Sequence, residues 1–293
     1  RDFTYASRTV SDDSGKQVAK EYSYDTLNGN LTQEINYGKV FASSNNFSDT
    51  GNDKQTTNYS YTTSGPVKVS SVQTLDQSGQ RIKQQNVYYD NQPFGTATKG
   101  NATKAESWVS GSSYIDMQKS YTLEGNVSTE TDTNNNTTTY TYDAYNLYPS
   151  VITKPLNQQT SYLYNYGVGK AKQATDANGF IYQTNYDGLG RIVEEKIPGE
   201  VSPFTPVLKA SYQYTDIKNA FSIKKSSYLN DSLAVQSLNH LDGLGRLIQE
   251  RSLMEDANSY SAKDTKYNNL GFVAQKSLPY TSFGEVRTSA STD

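Results

Sequence analysis

Apolar and polar positions alternate along short stretches of this chain, and turn residues interrupt them at nearly even intervals. Phe180-Ile181-Tyr182-Gln183-Thr184-Asn185-Tyr186 puts Phe180, Tyr182 and Tyr186 on one face of an extended strand, and Thr137–Tyr142 does the same for Tyr140 and Tyr142. The segments Asn126–Asp132, Lys170–Asp176 and Arg191–Ile197 read as return strands, the last stopped by Pro198. Thr, Tyr and Val dominate these stretches and suit a half-buried pleated surface. Turn signals at Gly125, Asn135–Asn136, Asn146, Asn157, Gly169, Gly179 and Gly190 recur about every eleven residues. About four turn residues then leave about seven for a strand, the spacing of a β-meander. Every second turn carries a tyrosine (Tyr121, Tyr142, Tyr164, Tyr186), so the repeating unit is a hairpin.

The turns have a chemical logic. An Asp side chain can accept a hydrogen bond from the backbone two residues on and close the turn itself. A Gly three residues after it suits a left-handed backbone at the end of a type I turn with a bulge. Tyr186-Asp187-Gly188-Leu189-Gly190-Arg191 is the clearest copy, and Asp176 with Gly179 makes the intervening one. In Tyr142-Asp143-Ala144-Tyr145-Asn146, Asn takes the glycine's place. Looser copies are Asp12–Gly15, Tyr24-Asp25 with Gly29, Asp76 with Gly79, Leu241-Asp242 with Gly245-Arg246, and Tyr267 with Gly271. Residues 41–56, 91–112 and 198–207 read as long loops, and 252–263 as a short helix or a loop.

This punctuation predicts roughly sixteen to twenty strands, more than an open twisted sheet holds without curling. The expected fold is all-β: one long antiparallel meander over residues 1–293, wound as a spiral strip that forms part of a hollow shell. Composition fits a thin core. Leu, Ile, Val and Phe make up under a fifth of the 293 residues, but 25 Tyr add rings that can each bury roughly 150–250 Å² while keeping a wet hydroxyl. There is no Cys, so disulfides do not staple the fold. No apolar run is long enough for a membrane-spanning helix, and no signal peptide stands at Arg1. Basic and acidic residues (27 and 30) are spread evenly, without the basic stripe of a nucleic-acid binder. The repeat pattern runs to both ends, and the chain is expected to be a segment of a longer protein.

At Tyr186–Val193 the chain resembles the tyrosine–aspartate (YD) repeats of bacterial Rhs proteins, and Leu241–Leu247 repeats the motif with Leu for Tyr. Thr175–Gly179 is similar to the intervening turn of those repeats. About ten copies cover most of the chain. The family includes Rhs toxins, the B and C components of insecticidal Tc toxin complexes, and teneurin ectodomains; the irregular spacing looks more like the B component. The resemblance implies a secreted or cell-surface, non-catalytic β-shell whose partners are an encapsulated C-terminal toxin or cargo and other segments of the same shell. One departure stands out: the Rhs core ends in an Asp-Pro segment where self-cleavage occurs, and this chain has no Asp-Pro pair.

Catalytic candidates are sparse. His240, the single histidine, would have to carry any Ser-His-Asp triad alone and reads as a structural or exposed strand residue. Glu194 and Glu195 are adjacent on a strand and face opposite ways, so they cannot flank one bond. The recurring Asp25, Asp143, Asp176, Asp187 and Asp242 read as turn closures, not calcium ligands, and no metal or cofactor is expected. Arg191 and Arg246 are expected to pair with a neighbouring turn Asp and tie hairpins together. Gly167-Val168-Gly169 lacks the helix and the following Lys-Ser/Thr of a phosphate loop. Trp108 reads as core packing beside an insert. The alternative to a cargo shell is an extracellular adhesion or carbohydrate-binding β-protein, and the third reading, a hydrolase, lacks a convergent acid–base pair.

Overall fold

The computed structural model describes residues 5–13, 15–43, 46–218, 220–230, 233–256 and 258–287. Ser14 of the Asp12–Gly15 turn and Ala257 of the 252–263 stretch lie outside them. The chain divides into two compact units, residues 1–146 with 153–157 and residues 147–152 with 158–293. The described residues are nearly all antiparallel β-structure, with 23 strands among them.

The first unit holds β1 (Arg8–Asp13), β2 (Lys16–Tyr24), β3 (Leu31–Ser43), β4 (Asn46–Asp49), β5 (Gln55–Tyr61), β6 (Val69–Leu75), β7 (Arg81–Tyr89), β8 (Ala102–Ser110), β9 (Ser113–Tyr121), β10 (Val127–Thr131) and β11 (Thr137–Tyr142). Each pairs with its successor, except that β4 is a short ribbon on the far half of β3, and β3 goes on to pair with β5. The residues of β12 (Pro149–Lys154) fall in both units. The second unit holds β13 (Gln158–Asn165), β14 (Lys170–Thr175), β15 (Ile181–Tyr186), β16 (Ile192–Pro198), β17 (Pro206–Thr215), β18 (Phe221–Tyr228), β19 (Ala234–Leu241), β20 (Leu247–Leu253), β21 (Ser259–Tyr267), β22 (Val273–Lys276) and β23 (Tyr280–Phe283). They pair in order to β21, which takes β22 along its last residues and β23 along its first.

The long antiparallel meander expected from the turn spacing is therefore present, with more strands than the spacing indicates. Three stretches expected to be loops carry strands. Residues 41–56 contain β4, 91–112 contain β8, and 252–263 hold the start of β21 and, among the described residues, no helix. Polar residues occupy both faces of β8 (Ala-Thr-Lys-Ala-Glu-Ser-Trp-Val-Ser), so hydrophobic alternation is weak there. Its ladder bonds to β7 and β9 hold it extended instead. Residues 199–205 form the connection expected there.

Few apolar side chains are fully buried: Ala19, Val40, Tyr89, Ala97, Ala210, Leu238, Tyr260 and Ala262. Polar ones join them. Gln249 and Arg251 are completely covered, with Arg251 donating to the carbonyl of Val286 at 2.6 Å and to Ser282 Oγ. Gln249 donates to Asp264 at 2.8 Å and to the Tyr280 hydroxyl at 2.9 Å. This is a core held by hydrogen-bonded polar side chains as well as by hydrocarbon.

The β12–β13 turn has a strained residue. Leu156 is 91% exposed with φ 63°, and Asn157 follows at φ 58°. Two consecutive left-handed positions favour Asn and Gly, and a branched apolar side chain fits poorly there. Leu156→Asn is expected to stabilise the protein by about 0.5–1 kcal/mol in urea unfolding. An unchanged or lower midpoint would remove the strain account.

Candidate functional site

The repeat turn is the feature the sequence singles out, and its geometry recurs with little variation. Asp76, Asp132, Asp176, Asp187 and Asp242 each accept two backbone N–H groups on Oδ1, from the residues two and four further on, at 2.8–2.9 Å. Asn268 does the same with its amide oxygen. Asp25 makes only the first of these bonds, with Leu27, and Asp143 makes the first with Tyr145. The left-handed residue of each turn is Gly79, Asn135, Gly179, Gly190, Gly245 or Gly271, with Asn146 in the Asp143 turn and Gly29 in the Asp25 turn. Gly167 and Gly169 belong to such a turn too, folded onto Asn165.

A second device was not visible in the spacing. The tyrosine that ends a hairpin's second strand donates its hydroxyl across the neighbouring strand to a backbone carbonyl. Tyr61 reaches Leu31 at 2.9 Å, Tyr89 reaches Val69 at 2.7 Å, Tyr121 reaches Ala102 at 2.8 Å and Tyr142 reaches Val127 at 2.9 Å. In the second unit Tyr164 reaches Pro149 at 2.9 Å, Tyr186 reaches Ala171 at 2.9 Å, Tyr214 reaches Ile192 at 2.8 Å and Tyr267 reaches Leu247 at 3.0 Å. Tyr24 makes a longer bond of 3.2 Å to Ala6.

The acceptors are set by β-bulges. Register slips by one residue where Tyr24 pairs with Leu31, Tyr61 with Val69, Tyr89 with Ala102, Tyr121 with Val127, Tyr164 with Ala171, Tyr186 with Ile192 and Leu241 with Leu247. A bulge interrupts the ladder and leaves a backbone carbonyl open. The next hairpin's tyrosine takes that carbonyl in every one of these cases. The junction of β17 and β18 has no slip, Tyr214 pairing regularly with Ile223. Leu241, which ends the next strand, is the position where the repeat tyrosine is missing. Absent bulge and absent tyrosine coincide.

Side chains just after the turn residue tie successive turns. Asn126 donates to the carbonyl of Asn146 at 2.7 Å, and Lys170 to that of Gly190 at 2.8 Å. Arg191 binds its own Asp187 at 2.7 Å, spans to both carboxylate oxygens of Asp216 at 2.7 and 2.9 Å, and lies 4.1 Å from the ring centre of Tyr214. Arg246 binds its own Asp242 but reaches the next turn through the ring of Tyr267, at 4.4 Å. The expected Asp partner is absent because Asn268 and Asn269 stand in that turn.

The other candidates have ordinary surroundings. His240 lies buried on β19, opposite Ser222 and Gln249; burial and then the charges of Arg251 and Arg287 lower its pKa. Glu194 and Glu195 do point apart, to Asn185 at 2.9 Å and the Tyr212 hydroxyl at 2.7 Å. Burial, and then that bond, push the Tyr212 phenol up to about 12. Trp108 sits on β8, only partly covered, under the guanidinium of Arg81 at 4.4 Å. Among the described residues no group of three or more His, Cys, Asp or Glu could hold a metal ion, and no helix is long and apolar enough to cross a membrane.

Tyr89→Phe deletes a hydroxyl whose carbonyl partner then goes unmet, and is expected to cost about 0.5–1.5 kcal/mol in chemical denaturation. Leu241→Tyr should give no matching gain, because no bulge opens a carbonyl for it; an equal gain would show that the bulge is irrelevant. The turn aspartates set an acid limit. The carboxyl of Asp132 is lowered first by the Asn136 side chain, and those of Asp187 and Asp242 first by the backbone N–H of Arg191 and Arg246. A lowered folded pKa contributes stability that is present above the unfolded value near 3.9 and is lost as pH falls through the folded one. Melting temperature should therefore hold down to about pH 4 and drop below it, and Asp→Asn at 132, 187 and 242 should flatten that drop.

No protein-family model matches the chain, and no curated protein matches it. Solved structures do. The crystal structure of TcdB2-TccC3 aligns over 92% of the chain with a TM-score of 0.67 at 14% identity. The TcdB2-TccC3-TEV structure gives 0.66 over 92% at 11% identity, and the form without the hypervariable C-terminal region 0.65 over 91% at 12%. The chain spans about a fifth of the length of these structures, 21–23%. At such identities the likeness is one of fold, and it joins the repeat motif read from Tyr186–Val193. The chain has a Tc/Rhs-like shell fold.

Proposed function

We propose that this chain is a non-catalytic wall segment of a secreted or cell-surface Tc/Rhs-like protein, and that the wall encloses a toxin or other cargo polypeptide. The observation that carries this reading is the repeated fastening of hairpins within each unit, by turn aspartate and crossing tyrosine, in a chain with the fold of TcdB2-TccC3. Fastening of this kind stiffens a sheet without needing a thick core behind it. It supports a sheet that works as a barrier more readily than one that positions a reaction. The partners in this reading are the enclosed cargo and the remaining segments of the same wall.

The test is limited proteolysis of the native full-length protein, followed by mass spectrometry as the temperature is raised. Enclosure predicts a protease-sensitive polypeptide that stays intact until the repeat sheet melts, and is then lost together with it. Cleavage of every segment outside the repeats well below that transition would refute enclosure.

A further inference from the structure

Residues 90–101, between β7 and β8, form an insert held far more firmly than a linker requires. Asp90 Oδ2 accepts the backbone N–H groups of Thr98, Lys99 and Gly100 at 2.7–2.8 Å, and Oδ1 accepts that of Asn101 at 3.0 Å. Burial alone would raise this carboxyl, but the four N–H groups outweigh it and hold the pKa far below the usual range. The insert is also fastened to the β5–β6 loop: Thr63 N–H donates to Gly95 at 2.8 Å and Ala97 N–H to Ser64 at 3.0 Å. Contact there is so close that a Cβ on Gly65 would lie 1.7 Å from the Ala97 carbonyl oxygen.

The held insert carries Phe94, which stays 48% exposed and leans on Tyr88 with ring centres 5.3 Å apart. Together they wall a cavity of about 410 Å³ on the sheet face opposite the latch tyrosines, within the usual size of a small-molecule site. Its floor is Asn58, Ser60, Gln73, Gln84 and Asn86, with Ser71 beneath. Ser71 and Asn86 are each 9% exposed and bonded at 2.9 Å, and Gln84 Nε2 donates to Asn86 at 2.9 Å, so the floor is locked from below. Gln33 donates to Asn58 Oδ1, and Gln73 Nε2 to Gln84 Oε1. Asn58 Nδ2, Gln73 Oε1 and the Ser60 hydroxyl make no hydrogen bond among the described residues. They offer a donor, an acceptor and a group that is both. No carboxylate or ammonium lines the cavity. Nearby charges are already engaged: Arg81 with Gln84 and Trp108, and Lys104 with Glu106.

We propose that this cavity binds an uncharged saccharide ring. Adjacent ring hydroxyls, each both donor and acceptor, match the mixed amide and hydroxyl floor, and the C–H face of the sugar lies against the exposed ring of Phe94. The cross-strand pair Gln173–Gln183 in the second unit has the same amide chemistry. In the first unit an insert adds an aromatic wall and a cavity over such a pair.

The test uses the full chain with glucose, galactose, mannose and N-acetylglucosamine as free probes in saturation-transfer NMR, and their oligosaccharides on a glycan array. At least one probe should bind saturably. Phe94→Ala should weaken it tenfold or more with an unchanged melting temperature. Gly65→Ala, which pushes the insert away, should weaken it independently. Binding to the array but not to free sugars would place the ring at the end of a longer glycan; binding to both would assign a monosaccharide site. No saturable binding by any probe, or binding indifferent to Phe94→Ala, overturns the proposal. The wall function stands or falls separately, since its proteolysis test does not involve this cavity.

Discussion

The bond from a tyrosine hydroxyl to a bulge carbonyl one strand away organises this fold. A meander with polar residues on both faces of many strands has little hydrocarbon to hold neighbouring hairpins together. The bulge where Tyr186 meets Ile192 leaves a backbone oxygen, and the next hairpin's Tyr214 meets it, as at the other slips that follow a hairpin-ending residue. A single such bond adds little, but it recurs within each unit. The ring also covers the pleat beneath it, so one residue type supplies both burial and direction.

The turn aspartates do the complementary work at the strand ends. They set where a strand stops and in which residue the backbone turns left-handed. That placement fixes where the bulge falls and hence which carbonyl is open. Arg191 shows the linkage on one side chain: it closes its own turn, reaches Asp216, and covers Tyr214, whose hydroxyl holds Ile192. Turn, ion pair and latch form one connected patch. Where the chain omits the bulge, between β17 and β18, it also omits the tyrosine at Leu241.

The two sheet faces carry different chemistry. One bears the latch tyrosines. The other, in the first unit, bears a cross-strand row of amides at Gln33, Asn58, Gln73 and Gln84. Side-chain amides satisfy one another across strands and need no hydrocarbon cover. A sheet built this way tolerates water on its faces, which agrees with the short roll of buried apolar residues and with 25 tyrosines in place of a dense aliphatic core.

The turns, the hairpin period and the all-β meander were legible in the amino-acid order, because Asp, Gly and Asn act on backbone within four residues of themselves. Asp187 to Gly190 closes its turn whatever surrounds it. Strands β4 and β8 escaped notice because their faces are polar, and ladder pairing with neighbours holds them extended. Tyr61, Tyr89 and Tyr214 gave no local sign of their role, since their acceptors lie 20–30 residues back and depend on register slips. The same holds for Phe94, set over the amide floor by Asp90 and by the tight approach of Gly65 to Ala97. Short-range hydrogen bonding is encoded residue by residue; contacts across strands exist only once pairing has chosen which distant residues face each other.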